Sequence, residues 1–195
     1  MDPKEIQRFI NEHIPYRMQA IAWGLHILKG TRDWHVPKSM EISIDGKLCI
    51  KGNHHLLTNP SIEMAIIYAR VLLEFLGLKA NKERSQLSVM KDRDRKDGDV
   101  GIENFKSQSG EYLEKVTKEA ALATYPGRAE DAERALISII THAHKSVAHL
   151  TTGPENEDDT RDLLELACCG VLTLVHMKFY RSMGLEPPSY VVTTQ

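Results

Sequence analysis

The sequence predicts a mainly α-helical protein: an up-and-down bundle of about five to six helices carrying one small β-hairpin. Three observations lead there. Residues 59–76 begin with Asn59-Pro60, are apolar nearly all round and stop at Gly77, as a central helix does. Residues 129–150 carry an apolar stripe at helical spacing. Only residues 40–51 alternate with period two. A chain of 195 residues dominated by helices buries its core by helix-on-helix layering, here in one domain over 1–195.

The elements follow in order. Residues 2–12 form a short helix with Asp2 as N-cap and Pro3 at the first position, where its missing N–H costs nothing. Pro15 breaks or kinks the path, and a second helix runs over 16–29 to Gly30. In the 40–51 hairpin, a two-residue turn would set Ile42 and Ile44 on the face opposite Leu48 and Ile50. A three-residue loop, Ile44-Asp45-Gly46, pairs Ile42 with Leu48 and Met40 with Ile50, and is the expected register. Such a hairpin is marginal alone, so it lies on the helices or on another copy.

In the 59–76 helix, at about 100° per residue, Ile62, Ile66, Ala69, Leu73 and Leu76 align. Only Glu63, Arg70 and Glu74 interrupt the apolar surface, on one narrow side. Residues 79–110 read as a long polar surface loop, with Lys91 to Asp99 at its middle. A helix over 110–123 ends before Pro126-Gly127. The 129–150 helix presents Leu136, Ile140, Ala143, Val147 and Leu150 to the core. The last helix covers 160–183, acidic at its start as the helix dipole favours, and closes at Gly184 before Pro187-Pro188.

Bulk properties narrow the function classes. Hydrophobic content of 42% with 27% charge describes a folded chain. A net charge of −2 and a pI near 6.5 exclude a protein that coats nucleic acid, though not a local basic site. No uninterrupted apolar run reaches the roughly 18 residues of a membrane span, and the first residues are polar. Three cysteines, two of them adjacent, make no disulfide framework. The expectation is a soluble, cytoplasmic protein. The 59–76 helix has more apolar surface than a small bundle covers, which points to a homodimer.

The chemistry-bearing residues gather at the end of the 129–150 helix. His142, Lys145, Ser146 and His149 share one side, away from the core stripe, while His144 points elsewhere. This is a solvated face, a groove or dimer site, or a set of metal ligands, although no His-Glu-x-x-His and no carboxylate at a diagnostic spacing is present. Arg70 must find a partner within so apolar a helix: Glu74 at i+4, or a phosphate presented across the bundle. Cys169 and His176 share a face, but Cys168-Cys169 suit core thiols. Asn53-His54-His55 reads as the turn into the helix. Asp92, Asp94 and Glu103 resemble a calcium loop only loosely, with Lys96 at a ligand position. No phosphate loop, nucleophile elbow or dinucleotide fingerprint occurs, so no cofactor is expected.

A central helix with a polar residue in an apolar run, then a later helix ending His144-Lys145-Ser146-Val147-Ala148-His149-Leu150-Thr151, resembles the HEPN superfamily of helical bundles. Those bundles often dimerise, and many are metal-independent ribonucleases whose signature is an arginine followed four to six residues later by a histidine. His149 matches that histidine and His144-Lys145 the intervening polar pair. The arginine's place is held by Ala143. The resemblance implies an RNA- or nucleotide-associated module with a degenerate ribonuclease site. In it, His149 would exchange the proton of a ribose 2′-hydroxyl, Lys145, His144 or Arg70 would stabilise the phosphate, and His142 and Ser146 would contact substrate. A non-catalytic interaction homodimer and a histidine-metal enzyme are the alternatives.

Overall fold

The computed structural model describes residues 1–125, 128–145 and 157–189. The chain is 60% helical, of the mainly α class expected. Helix α1 (Pro3–Arg8) continues through a π-turn (Phe9–His13) into α2 (Ile14–Gly30). A hairpin arm, β1 (Ser39–Ile44) and β2 (Lys47–Asn53), leads into α3 (His55–Phe75). Strands β3 (Leu78–Ala80) and β4 (Leu87–Val89) follow, then α4 (Lys118–Thr124), α5 (Ala129–Lys145) and α6 (Glu157–Val175). A second π-turn (His176–Tyr180) and a 3₁₀ turn (Arg181–Met183) carry α6 to Gly184, whose left-handed φ of 70° ends it.

Four helices build the core. Trp23 meets Ser61 and Tyr16 meets Tyr68, so α2 and α3 run antiparallel. Arg161 reaches Leu28 and Tyr180 reaches Ile10, which makes α6 antiparallel to α2. The start of α5 lies by the strands that follow α3, because Glu133 accepts the backbone N–H of Leu87 at 2.8 Å. The order α2, α3, α5, α6 therefore alternates in direction, an up-and-down bundle. Of the predicted stripes, Ile66, Ala69, Leu73 and Leu76, and Leu136, Ile140 and Ala143 of α5, are buried, Ile62 is half-buried, and Val147 and Leu150 lie outside the described residues.

Pro15 does not break the first helix. It has no N–H for the carbonyl five residues back, Ile10, and Ile14 gives its N–H to Phe9 instead. The released Ile10 carbonyl is taken by the buried Tyr180 hydroxyl at 2.9 Å. At the other end of α2, Gly24 lies against Ala65 and the Ser61 carbonyl, and that missing side chain lets α2 and α3 approach closely.

Several expectations need correction. The arm closes through a two-residue turn, with Asp45 and Gly46 both at positive φ (50° and 75°) as type I′ geometry requires. The register then shifts at Cys49, so Ile42 faces Ile50 while Leu48 faces Ser43. The bulge, not a longer loop, brings Ile42 and Ile50 together. Helix α3 starts a turn before Asn59, where Asn53 Oδ1 accepts the His55 N–H at 3.0 Å, and Pro60 lies inside it. Residues 79–110 are an ordered wall instead of a loose loop: they include the β3–β4 pair and the fully buried Ile102 and Phe105. The 110–123 helix is confined to Lys118–Thr124, because residues 112–116 run extended, with Leu113 and Val116 bonded to Phe105 and Leu76. Two helices, His55–Phe75 and Asp159–Met183, are long and apolar enough by length and composition to cross a membrane, a looser test than an uninterrupted apolar run. Both supply residues to the bundle core.

The close approach at Gly24 generates a paired prediction. Gly24→Ala places a methyl on the Cβ of Ala65 and destabilises the bundle by about 1–3 kcal/mol. Gly30→Ala, in open space at the end of the same helix, is neutral or stabilising by up to about 1 kcal/mol. Urea unfolding followed by circular dichroism separates the two.

Candidate functional site

Of the residues that sequence reasoning gathered at the end of α5, Ser146 and His149 lie outside the described residues, and only the backbone of Lys145 is described. His142 is half-buried, and its Nδ1 donates to the Ser138 carbonyl at 3.1 Å, so that nitrogen carries a proton. His144 is exposed. Ala143, at the position of the signature arginine, points into the core at 4% exposure.

Arg70 is braced locally. Its Nε donates to Glu74 Oε1 at 2.9 Å, the i+4 pair that the sequence offered. It stands in the last turns of α3, beside the start of α5, whereas Lys145 is at the far end of α5. The Arg70 brace and the α5 terminus thus belong to different ends of that helix pair.

The other sequence candidates resolve into structural roles. His54 is buried, its Nδ1 accepts the Lys38 N–H at 3.0 Å, and its ring meets Trp34 edge-on, so it fastens the base of the arm. Cys168 is wholly buried, and burial pushes its thiol up to about 12, with Cys169 and Glu165 adding to the effect; it is a core thiol, not a thiolate. Asp92 and Asp94 are bound by lysines. Lys115 reaches Asp92 at 2.6 Å and Lys79 reaches Asp94 at 2.6 Å, holding both carboxyls below the usual range. Among the described residues no group of three His, Cys, Asp or Glu side chains could hold a metal ion.

A cleft that sequence reasoning did not anticipate lies beside the first π-turn. It encloses about 280 Å³ between Phe9, His13 and Arg17 on one side, Glu74 and Phe75 on α3, and Met90 to Val100 on the other. Arg95 sets its far wall. That side chain, 14% exposed, holds Glu103 through two bonds (2.9 and 3.0 Å) and donates to the Glu74 and Phe75 carbonyls at the end of α3. The one sequence signal for the cleft was Pro15, the residue that forces the π-turn.

No protein-family description, curated protein or solved structure matches this chain.

Two outcomes follow from the wall's ion pairs. Arg95→Met takes from Glu103 its two short bonds and from the Glu74 and Phe75 carbonyls their side-chain donor, leaving Glu103 to Lys115 at 3.8 Å, and costs about 2–3 kcal/mol in urea unfolding, a loss that Arg95→Lys does not recover. Because Asp94 has a lowered folded-state pKa, its contribution is whole above about pH 4 and is lost as pH falls through that lowered value. The Lys91 amide, which donates to Asp94 Oδ2 at 2.7 Å, shifts over that acid range in the wild type, and Asp94→Asn removes most of that shift.

Proposed function

We propose that this protein is an interaction module that works as a homodimer, joined through the hairpin arm and the exposed side of α2 and α3. The carrying observation is apolar surface left uncovered on adjoining elements. In the arm, Ile44 is 62% exposed and Leu48 50%. On the helices, exposed Trp23 bonds to Ser61, and exposed Leu57 and Met64 lie one turn to either side of Ser61. Exposed Leu56 continues the patch to the arm, where its side chain abuts Gly52.

The occupant this surface fits is a second copy of the chain. A two-stranded arm is marginal in water unless it lies on something, and its own bundle gives it little support. A two-fold pair lets the arm of each copy cover the bare α2–α3 stripe of the other, so one contact meets both needs. The participation of α3 and α6 in the core supports reading them as bundle helices and not as membrane spans.

A second reading, an RNA- or nucleotide-associated bundle of HEPN type, is favoured by the up-and-down arrangement and by His142 and His144 on the last turns of α5. It places catalysis on His149 with Lys145 and His144, and Arg70 serves it only by leaving Glu74. The histidine-metal reading has no such support.

Light scattering tests the proposal: the protein runs at twice its 22.1 kDa chain mass, and Met64→Glu combined with Leu48→Glu raises the dimer dissociation constant at least tenfold while helix content stays unchanged. A monomer at high protein concentration overturns it. Cleavage of a mixed RNA substrate without metal, lost in His149→Ala, would establish the second reading instead.

A further inference from the structure

The charged groups around the π-turn cleft do not balance in the way their number implies. Glu74 is taken by Arg70, while Asp99, whose Oδ2 accepts the Lys96 backbone N–H at 2.8 Å, keeps its charge on the exposed, water-screened rim. Arg95 is occupied by Glu103 and by the carbonyls that end α3. Arg17 is different. Its Nη1 donates to the His13 carbonyl at 2.8 Å, and its guanidinium carbon stands 5.5 Å from the centre of the Tyr68 ring. Among the described residues no carboxylate pairs with it.

A half-buried guanidinium fixed by a carbonyl and an aromatic ring is held in place and keeps several solvent-facing N–H groups to give to an anion. Here it borders a cavity whose remaining walls are largely hydrocarbon: Phe9, Ile14, Val71, Phe75, Met90 and Val100. The His13 ring, 4.9 Å from Phe9, lines the same side and offers a second donor. A few convergent polar groups in an apolar cleft are the ordinary makeup of a small-molecule site, and about 280 Å³, just below the usual range of drug-sized pockets, limits the ligand to a small one.

We propose that this cleft binds a small organic anion: a single aromatic or branched apolar group bearing one carboxylate or phosphate. Arg17 anchors the anionic group, His13 assists, and the apolar body lies against Phe9, Phe75 and Met90. The site is separate from both the α5 terminus and the arm, so it stands whether or not the protein dimerises.

The test is an amide-shift titration of the full chain with 3-phenylpropionate, phenyl phosphate, neutral 3-phenylpropionamide and inorganic phosphate. At least one aromatic anion shifts the amides of Phe9, Ile14, Gly98 and Val100 saturably, and whichever anion binds tighter identifies carboxylate or phosphate as the group recognised. The neutral amide binds at least tenfold more weakly. Arg17→Met removes that difference, and Arg17→Lys, which keeps the charge without the planar fork, loses affinity three- to tenfold and serves should the methionine variant not fold. The proposal is overturned if neither aromatic anion shifts these residues, if the amide binds as tightly as the acids, if inorganic phosphate binds as well as phenyl phosphate, or if folded Arg17 variants bind unchanged.

Discussion

The structure depends on one missing hydrogen. Pro15 has no N–H, so the carbonyl of Ile10 loses its donor within the first helix once the π-turn sends Ile14 to Phe9. A buried carbonyl without a partner costs about 1–3 kcal/mol, and the Tyr180 hydroxyl removes that cost from the opposite end of the sequence. The bond joins the first long helix to the last one. The same turn displaces Phe9 and His13 from regular helical positions and opens the cleft beside them. A local defect thus closes the bundle on one side and forms a concavity on the other, a frequent use of π-turns.

The long helices end by a related rule. A helix leaves its last carbonyls unsatisfied, and both α2 and α3 meet this with an arginine from elsewhere. Arg161, on α6, bonds the Leu28 carbonyl and the Thr31 hydroxyl, while Arg95 bonds the Glu74 and Phe75 carbonyls. Each is further held by acids, Glu165 beside Arg161 and Glu103 beside Arg95. Arg95 thereby does more than cap. It ties residues 91–104 to the bundle, and with Ile102 and Phe105 buried, that segment becomes a wall of the core. Phe105 stacks edge-on against Phe75 and Phe179, so the wall reaches α3 and the end of α6 together.

These long-range bonds mark the boundary of what the sequence makes legible. The mainly α class, the α3 stripe, the α5 stripe as far as Ala143, the Arg70–Glu74 brace and the stop at Gly184 are all local patterns, and all are present. The fixed wall over 79–110 was hidden because its apolar residues, Leu87, Ile102 and Phe105, are too scattered for either period, and its order comes from pairs such as Lys79–Asp94, fifteen residues apart. The arm shows the limit of register arguments. Alternation paired Ile42 with Leu48 and Met40 with Ile50, but a bulge at Cys49 sets Ile42 against Ile50 and Leu48 against Ser43, and Asp45-Gly46 favours the tighter turn. Of the candidate site, the α5 histidines were visible as residue types. The cleft was not, since Phe9, Arg17, Phe75 and Val100 meet only through the fold.

The proposed interface and the proposed anion site share a neighbour. Tyr68 takes the edge of Tyr16 at 5.6 Å on one side and the Arg17 guanidinium at 5.5 Å on another. The neighbouring Tyr16 side chain raises the Tyr68 pKa, with partial burial adding to it. Tyr16 is exposed on the same helix as Trp23, two turns toward the π-turn, whereas Arg17, the next residue, lines the cleft. The one ring of Tyr68 therefore borders both surfaces: it meets the exposed Tyr16 on the helix face and holds the Arg17 guanidinium at the edge of the cleft.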